Sequence, residues 1–596
     1  MKLRKLNITY CNVRLFSLLV LIVVGLSNKL LFAKTYKVGE DQKFKTIQST
    51  LSLSKSGDTV LVFEGIYHES VVIPRSGSKG EPIVILTNPG DKVILDGSII
   101  LTGWEKCKSL QHAQRNPNWE NIYWINAPKG SNRLSLNLFQ NDLRLFVAQM
   151  PEAINPFYDE NTTEWIKSST EKNSYTHSSI IDKENLTQAE NDFWNGAYAK
   201  IVSGNNEVFI QKIVSYSASE NQITFEPLNA DTVELEPGKD VYAISNHLSL
   251  VDKPGEIYFD EVRRKIFIIP FDTTSVNKSI TASTKQYAFK VKDKSNIIID
   301  GFVIQKYFGV SIDLKNCSNI QIRNCEIRDG IIKEDGGIGP SIYAKKASYC
   351  IVDSCFIHHN KHVRGIIFSD GHHNIIINSR FTHTGGTAID YYGESNSSLI
   401  GNYLYDCIGQ HANGLTCYLG CKNILIQNNI VINSNIGLTF YDIDGLKVVN
   451  NIFHGVDKYP PAACWEQNNN TSTTNVFFYN NILIGSGKRH IGLFSLSTLP
   501  SLTMKNNIMD GNVFANENIS HNLYTALAEG QDKSEVGAIY LLNGESQIFV
   551  NHEKYNYKLK KNSPAIDTGT DVNIDYDMEG KSRPTGKAID IGPYEK

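Results

Sequence analysis

The chain lacks any excess of basic residues. Its formal net charge is −3, from 59 Lys and Arg against 62 Asp and Glu, so a nucleic-acid partner is not expected. None of its ten cysteines forms a tight CxxC pair, and these spacings do not suit zinc. With Cys11 set aside, nine widely spaced cysteines remain, an odd number unlike a disulfide framework. Long amphipathic helical patterns are scarce, whereas Val, Ile, Thr, Tyr and Asn are plentiful; that composition points to an all-β protein. Only one long apolar run is present, the 12 residues "LFSLLVLIVVGL" behind Lys2, Arg4 and Lys5. It is short for a bilayer crossing of about 20 residues and has the form of a secretory signal, with cleavage after Ala33. The expected mature protein is secreted (periplasmic, extracellular or surface-associated), is not inserted in a membrane and is a monomer.

At 596 residues the chain is too long for one compact core, and a repeat fills that length. Aligning "IRNCEI", "VDSCFI", "INSRF", "IGNYL", "QNNIV", "VNNIF", "YNNIL" and "KNNIM" puts Asn324, Ser354, Asn378, Gly401, Asn428, Asn450, Asn480 and Asn506 in one column. The steps between them are 30, 24, 23, 27, 22, 30 and 26 residues. Each unit alternates as a strand does, turns a polar corner and enters a second short strand. Such a step predicts a parallel β-helix, whose stacked coils lie about 4.8 Å apart. Asn suits the corner because it tolerates left-handed backbone and its amide can reach the next turn. Leucine-rich repeats and propellers fail on the missing leucine consensus and the irregular step.

"FKTIQSTLSLSKSGDTVLVFEGIYHESVVI" followed by "VILDGS" resembles the N-terminal cap and first coils of secreted right-handed β-helix carbohydrate enzymes. "NSPAIDTGT" through "AIDIGPYEK" resembles the closing segment of that pectate-lyase-like superfamily. Between them, "LFQNDLRLFVAQMPE", "FWNGAYAKIV" and "PGEIYFDEVRRKIFIIP" resemble an inserted β-sandwich or barrel module of β-helix glycoside hydrolases of the β-xylosidase type. Those enzymes usually carry Gly where Asp142 stands and Arg where Gln149 stands. The expected organisation is a signal at 1–33, cap and first coils at 34–107, module at 108–270, main coils at 271–530 and closing segment at 531–596.

The second strands of four middle coils stack as "HVRGIIFSDG", "GTAIDYYGES", "ANGLTCYLGC" and "NIGLTFYDID". Strand side chains alternate, so Ile366, Ile389, Leu415 and Leu438 point into the core. Ile367, Asp390, Thr416 and Thr439 then point outward, beside a column of Tyr392, Tyr418 and Tyr441. Asp370, Glu394 and Asp442 fall at strand ends, while His362, Arg364, His383, His411 and Asn413 fall just before the strands. Glycoside hydrolysis commonly needs two carboxylates, about 5–5.5 Å apart for retention and about 6.5–9.5 Å apart for inversion. Asp390 is the first candidate, with Asp370 or Glu394 as its partner. Arg364, His411, Asn413, His362, His383 and Asp442 would orient substrate, and the tyrosines would stack on sugar faces. This reading is hydrolysis of a polysaccharide or oligosaccharide, without a cofactor.

Two other classes fit the same patch. A polysaccharide lyase acting on uronic acids would need a base and a cation, supplied from Arg364, Lys361, His411 and Tyr392. In that case Asp370, Asp390 and Asp442 could hold Ca²⁺. A non-catalytic surface β-helix that adheres to glycans or other proteins would use the outward tyrosines and the Asn corners.

Overall fold

A computed structural model describes residues 33–596 apart from 132–135, 154–163, 172, 204–206, 331–338, 362, 410–411, 456–459, 466–472, 486–492, 495–498, 500, 511–517 and 527–532. The signal segment, His362 and His411 therefore lie outside the described residues. Three long parallel sheets of 13, 13 and 10 strands run side by side along the molecule. They are named here the first sheet (opening with Thr35–Val38), the second (Gly65–Tyr67) and the third (Val71–Val72). One coil passes from Arg364–Ser369 in the third sheet to Ile375–Ile377 in the first and Arg380–Thr384 in the second. It re-enters the third at Ile389–Tyr392. Strands pair only with their equivalents in adjacent coils, which is a parallel β-helix.

Stacking like on like builds the core. Ile342, Ile366, Ile389, Leu415 and Leu438 lie in register along the third sheet. Ile357, Phe381, Leu404, Val431 and Phe453 do so along the second. Nearly all are completely buried in one continuous cluster, so each coil removes apolar surface from water only because another lies above it. The nine cysteines from Cys107 onward are buried. No helix among the described residues is long and apolar enough to cross a membrane.

The corner between the first and second sheets separates two tasks that the aligned column seemed to combine. Asn324, Ser354, Asn378, Gly401, Asn428, Asn450, Asn480 and Asn506 all have positive φ, between 52° and 64°, as a two-residue corner requires. The amide ladder belongs to the next residue. The backbone N–H of Asn402 donates to Asn429 Oδ1, and the same bond recurs from Asn429 to Asn451, Asn481, Asn507 and Asn522 at 2.8–3.0 Å. Glu535 Oε1 receives the last of these bonds, from Asn522, at 3.0 Å.

After Val93–Asp96 the chain leaves the coils, and it rejoins them at Phe289–Lys292, paired to Val71–Val72. The intervening residues form sheets of four, five and seven strands, antiparallel apart from the Phe146–Val147 to Glu256–Asp260 pair. The four- and five-stranded sheets share one core through Leu138, Ile280, Phe259 and Ile266, a sandwich arrangement. This module touches the coils at the corner between the second and third sheets. Asn137 Nδ2 donates to Asp329 O (3.1 Å), Arg144 Nη2 to Gly330 O (3.3 Å) and Lys306 Nζ to Asp142 Oδ1 (2.5 Å). Asp142 has a φ of 64°, so the position calls for the left-handed backbone that Gly supplies without strain. Gln149 Oε1 accepts from Lys200 Nζ at 3.0 Å.

Candidate active site

Ile389–Tyr392 alternates as its sequence requires: Ile389 and Tyr391 are fully buried inward, and Asp390 and Tyr392 project outward. Register places Ile367, Asp390, Thr416 and Thr439 in one outward column. Yet that column is covered, with relative exposures of 8, 0, 1 and 0%. The expectation of an open cleft carboxylate at Asp390 is corrected by its surroundings. Arg364 Nη1 reaches across from the preceding coil to Asp390 Oδ2 (3.1 Å) and also donates to the Tyr392 hydroxyl. Tyr392 folds back and donates to Asp390 Oδ1 at 3.1 Å. The carboxylate lies beneath both side chains, which face outward over it.

Burial raises the proton affinity of Asp390, and the Arg364 charge and the Tyr392 and Thr416 hydroxyls offset this only in part. Burial works against the Arg364 charge, but Asp390 and Tyr392 outweigh it and hold the guanidinium protonated. Arg364 Nε is buried and has no acceptor among the described residues.

The tyrosine column continues along the helix. Tyr392 and Tyr418 rings are 6.3 Å apart, and Tyr418 and Tyr441 rings are 4.3 Å apart, both tilted by less than 40°. Asn413 Nδ2 donates to Thr439 Oγ1 at 3.2 Å and borders the same surface. Gly414 and Gly437 precede their strands for a steric reason. A Cβ at Gly414 would come within 2.4 Å of Val431, and one at Gly437 within 2.9 Å of Phe453, both on the second sheet.

The two proposed carboxylate partners are not brought to Asp390. Asp370 is exposed at a corner with φ of 58° and accepts from Ser369 Oγ at 3.1 Å. It lies opposite Gly393, three residues past Asp390, so about 10 Å further along the strand. Glu394 is fully buried inside the corner, accepting from Gly371 N (2.8 Å), Asn374 Nδ2 (2.8 Å) and Ser397 Oγ (3.0 Å). Asp442 makes a turn, with φ of 52° and its N–H on Thr473 Oγ1 at 2.9 Å. Asp370, Asp390 and Asp442 do not gather as an oxygen cage; among the described residues the one carboxylate trio is Glu152, Asp252 and Glu256.

Glu394 carries a stability prediction. Burial pushes its carboxyl from 4.5 up to about 7, against the pull of its three donors. Between those two values the folded chain binds more protons than the unfolded one, so stability must fall as pH rises through that window. The full effect is up to about 3 kcal/mol. Glu394→Gln should flatten the dependence of the melting temperature on pH between 4.5 and 7; an unchanged slope would assign it to another group.

A second polar cluster was missed in the sequence, although its signal was there. Five residues after the left-handed corner positions come Asp329, His359, His383, Asp406 and Asn433, each again at positive φ, between 53° and 59°. The His359 and His383 rings stack at 4.7 Å, 9° from parallel. His383 Nε2 lies 3.3 Å from Asp406 Oδ2, so this histidine belongs to the corner between the second and third sheets. His358 Nδ1 is 2.8 Å from His359 Nδ1, and its Nε2 is 3.3 Å from Glu326 Oε1. Burial, with the cations nearby, holds His359 down to about 4, so it is neutral at physiological pH.

Residues 340–551 match a family model described as "Right handed beta helix region". No curated protein matches the chain. A solved structure named "Glycoside hydrolase" superposes with a TM-score of 0.53 at 13% identity, over 85% of this chain and 96% of that one. A structure of XylC with xylose gives 0.47 at 12% identity, covering 94% and 98%. Pectate lyase Pel9A gives 0.41 at 11%, covering 96% and 98%. At such identities the likeness is one of fold: the protein is a right-handed parallel β-helix.

Proposed function

We propose that this right-handed parallel β-helix is a secreted, monomeric, carbohydrate-active enzyme that cleaves glycosidic bonds of a polysaccharide at the outer face of its third sheet. The observation that carries the reading is the closure of Arg364 and Tyr392 over a buried Asp390 at one end of a tyrosine column. Elimination on a uronic acid uses these groups most economically. It needs one base for the C5 proton and one cation for the carboxylate, and the Arg364 guanidinium, held protonated beside Asp390, supplies the cation. Tyr392 takes the C5 proton as its own passes to Asp390, whose burial makes it a willing acceptor. The C5–H electrons form the C4=C5 bond, the C4–O bond breaks, and the proton returns through Tyr392 to the leaving oxygen. No step calls on a cofactor.

Hydrolysis is the second reading, favoured by the raised proton affinity of Asp390, which suits a general acid. It needs a base as well, and Asp370 is the nearest candidate along the strand. The neighbour at a TM-score of 0.53, a glycoside hydrolase by name, is in keeping with carbohydrate chemistry. The test is incubation with neutral and uronic glycans, following reducing ends together with ultraviolet absorbance. Unsaturated ends from a uronic glycan are expected. Saturated ends alone would overturn elimination in favour of hydrolysis, and binding without any product would leave a glycan-binding protein.

A further inference from the structure

The tyrosine column does not begin at Tyr392. Traced toward the N-terminus, register pairs Tyr392 with Ser369, Ser369 with Lys345, Lys345 with Lys315 and Lys315 with Lys292. One outward row of the third sheet therefore reads Lys292, Lys315, Lys345, Ser369, Tyr392, Tyr418, with Tyr441 stacked on its end. Its rungs are about 4.8 Å apart, close to the rise per sugar of an extended glycan. Lys292 and Lys315 are exposed and Lys345 is half-buried. No carboxylate lies within ion-pair distance of any of the three among the described residues. Lys290, in the adjacent outward row, adds a fourth cation. Asp313, half-buried, lies directly opposite Lys290 in that adjacent row and feels the charges of both Lys290 and Lys315. Asp293, at the corner, accepts from Asn316 Nδ2 at 3.0 Å.

Like charges directly opposite one another on neighbouring strands destabilise a sheet. A chain of net charge −3 has no general surplus of lysine to place there. Three lysines aligned in register on one outward row thus offer successive cations to an anion laid across them. The row also runs without a break into the aromatic half, so one ligand can touch both. A neutral glycan would gain nothing from the lysines, and a compact anion would gain nothing from the tyrosines.

We propose that Lys292, Lys315 and Lys345 form a binding track for a polyanionic polysaccharide laid along the helix axis, its charged groups on the lysines and its sugar faces on the tyrosines. This rests on the reading that the third sheet binds a polysaccharide, and it specifies the ligand as acidic at successive sugars. Carboxylate and sulfate share that chemistry, and the test separates them.

The experiment is electrophoresis of the full chain through gels containing polygalacturonate, a sulfated glucan or neutral xylan, with the Tyr392→Phe variant as the parent. Retardation by polygalacturonate, suppressed by salt and weakened at least tenfold in K292S/K315S/K345S, is the expected result. Stronger retardation by the sulfated glucan, with the same loss, would support the track and assign sulfate. Equal retardation of parent and triple variant by the acidic gels would overturn the track, as would xylan binding as tight as that of either acidic glycan. Because the parent lacks the Tyr392 hydroxyl, this outcome is independent of turnover; failure of the catalytic reading would appear instead as activity retained by Tyr392→Phe.

Discussion

Tyr392→Phe should lower turnover by about 10²–10⁴-fold, the usual worth of a positioned acid–base group, while binding of the glycan falls far less. The phenyl ring keeps its place beside Tyr418, 6.3 Å away, so the stacking surface survives. What disappears is the one hydroxyl that accepts from Arg364 and donates to Asp390. Both partners stay in contact at 3.1 Å, so the ion pair still holds the corner together. A fall in kcat at nearly constant KM, with an unchanged melting temperature, would identify a group acting in the transition state. Turnover within twofold of the parent would remove Tyr392 from the chemistry, and the relay with it.

The second large effect concerns stability. Asn451→Ala should destabilise the protein by about 1.5–4.5 kcal/mol, counting one buried N–H left unpaired at about 1–3 kcal/mol and one lost hydrogen bond at about 0.5–1.5 kcal/mol. Asn451 Oδ1 receives the Asn429 N–H at 2.8 Å, and its Nδ2 donates to Ile426 O at 2.9 Å. Alanine leaves that N–H without its acceptor and takes the amide bond away from that carbonyl, which lies within a paired strand, in a site of zero exposure. Its sequence neighbour makes the control. Asn450 sits at φ of 55°, a conformation glycine adopts freely, and its Nδ2 donates only to Tyr576 O at 2.9 Å, so Asn450→Gly should cost about 0.5–1.5 kcal/mol, the worth of one hydrogen bond. Denaturant midpoints of the two variants read the difference. Equal losses would show that the two corner positions do not divide the work as described.

The sequence was most legible where structure repeats. The 22 to 30-residue step and the alternation in "GTAIDYYGES" sufficed for the coil, for the inward side chains and for the outward row. It was least legible where a side chain crosses between coils. Asp390 reads as an outward carboxylate on any strand, but Arg364 covers it from 26 residues away, and no local pattern carries that information. Glu394 in "YGESNSS" has the look of a solvated corner. It is an interior group because Asn374 and Ser397 turn their donors toward it. The column of Asp329, His359, His383 and Asp406 could have been read by extending the corner alignment five residues further. It went unread because charged residues beside a turn are so often merely solvated.

The asparagine ladder also constrains how such a molecule can change over evolutionary time. Its corner has two residues in coil after coil, as between Ile377 and Arg380 or Ile400 and Tyr403. A single insertion there would turn the next strand inside out and break the row of amides. Coil length nonetheless varies from 22 to 30 residues, so length differences have to be absorbed at the other two corners. Those corners border the third sheet, where Arg364, Asp390 and the lysine and tyrosine rows lie. One edge of the molecule is thus closed to length change while the two beside the third sheet, the proposed substrate surface, accept it. New specificities can then be tried by lengthening loops without renegotiating the scaffold.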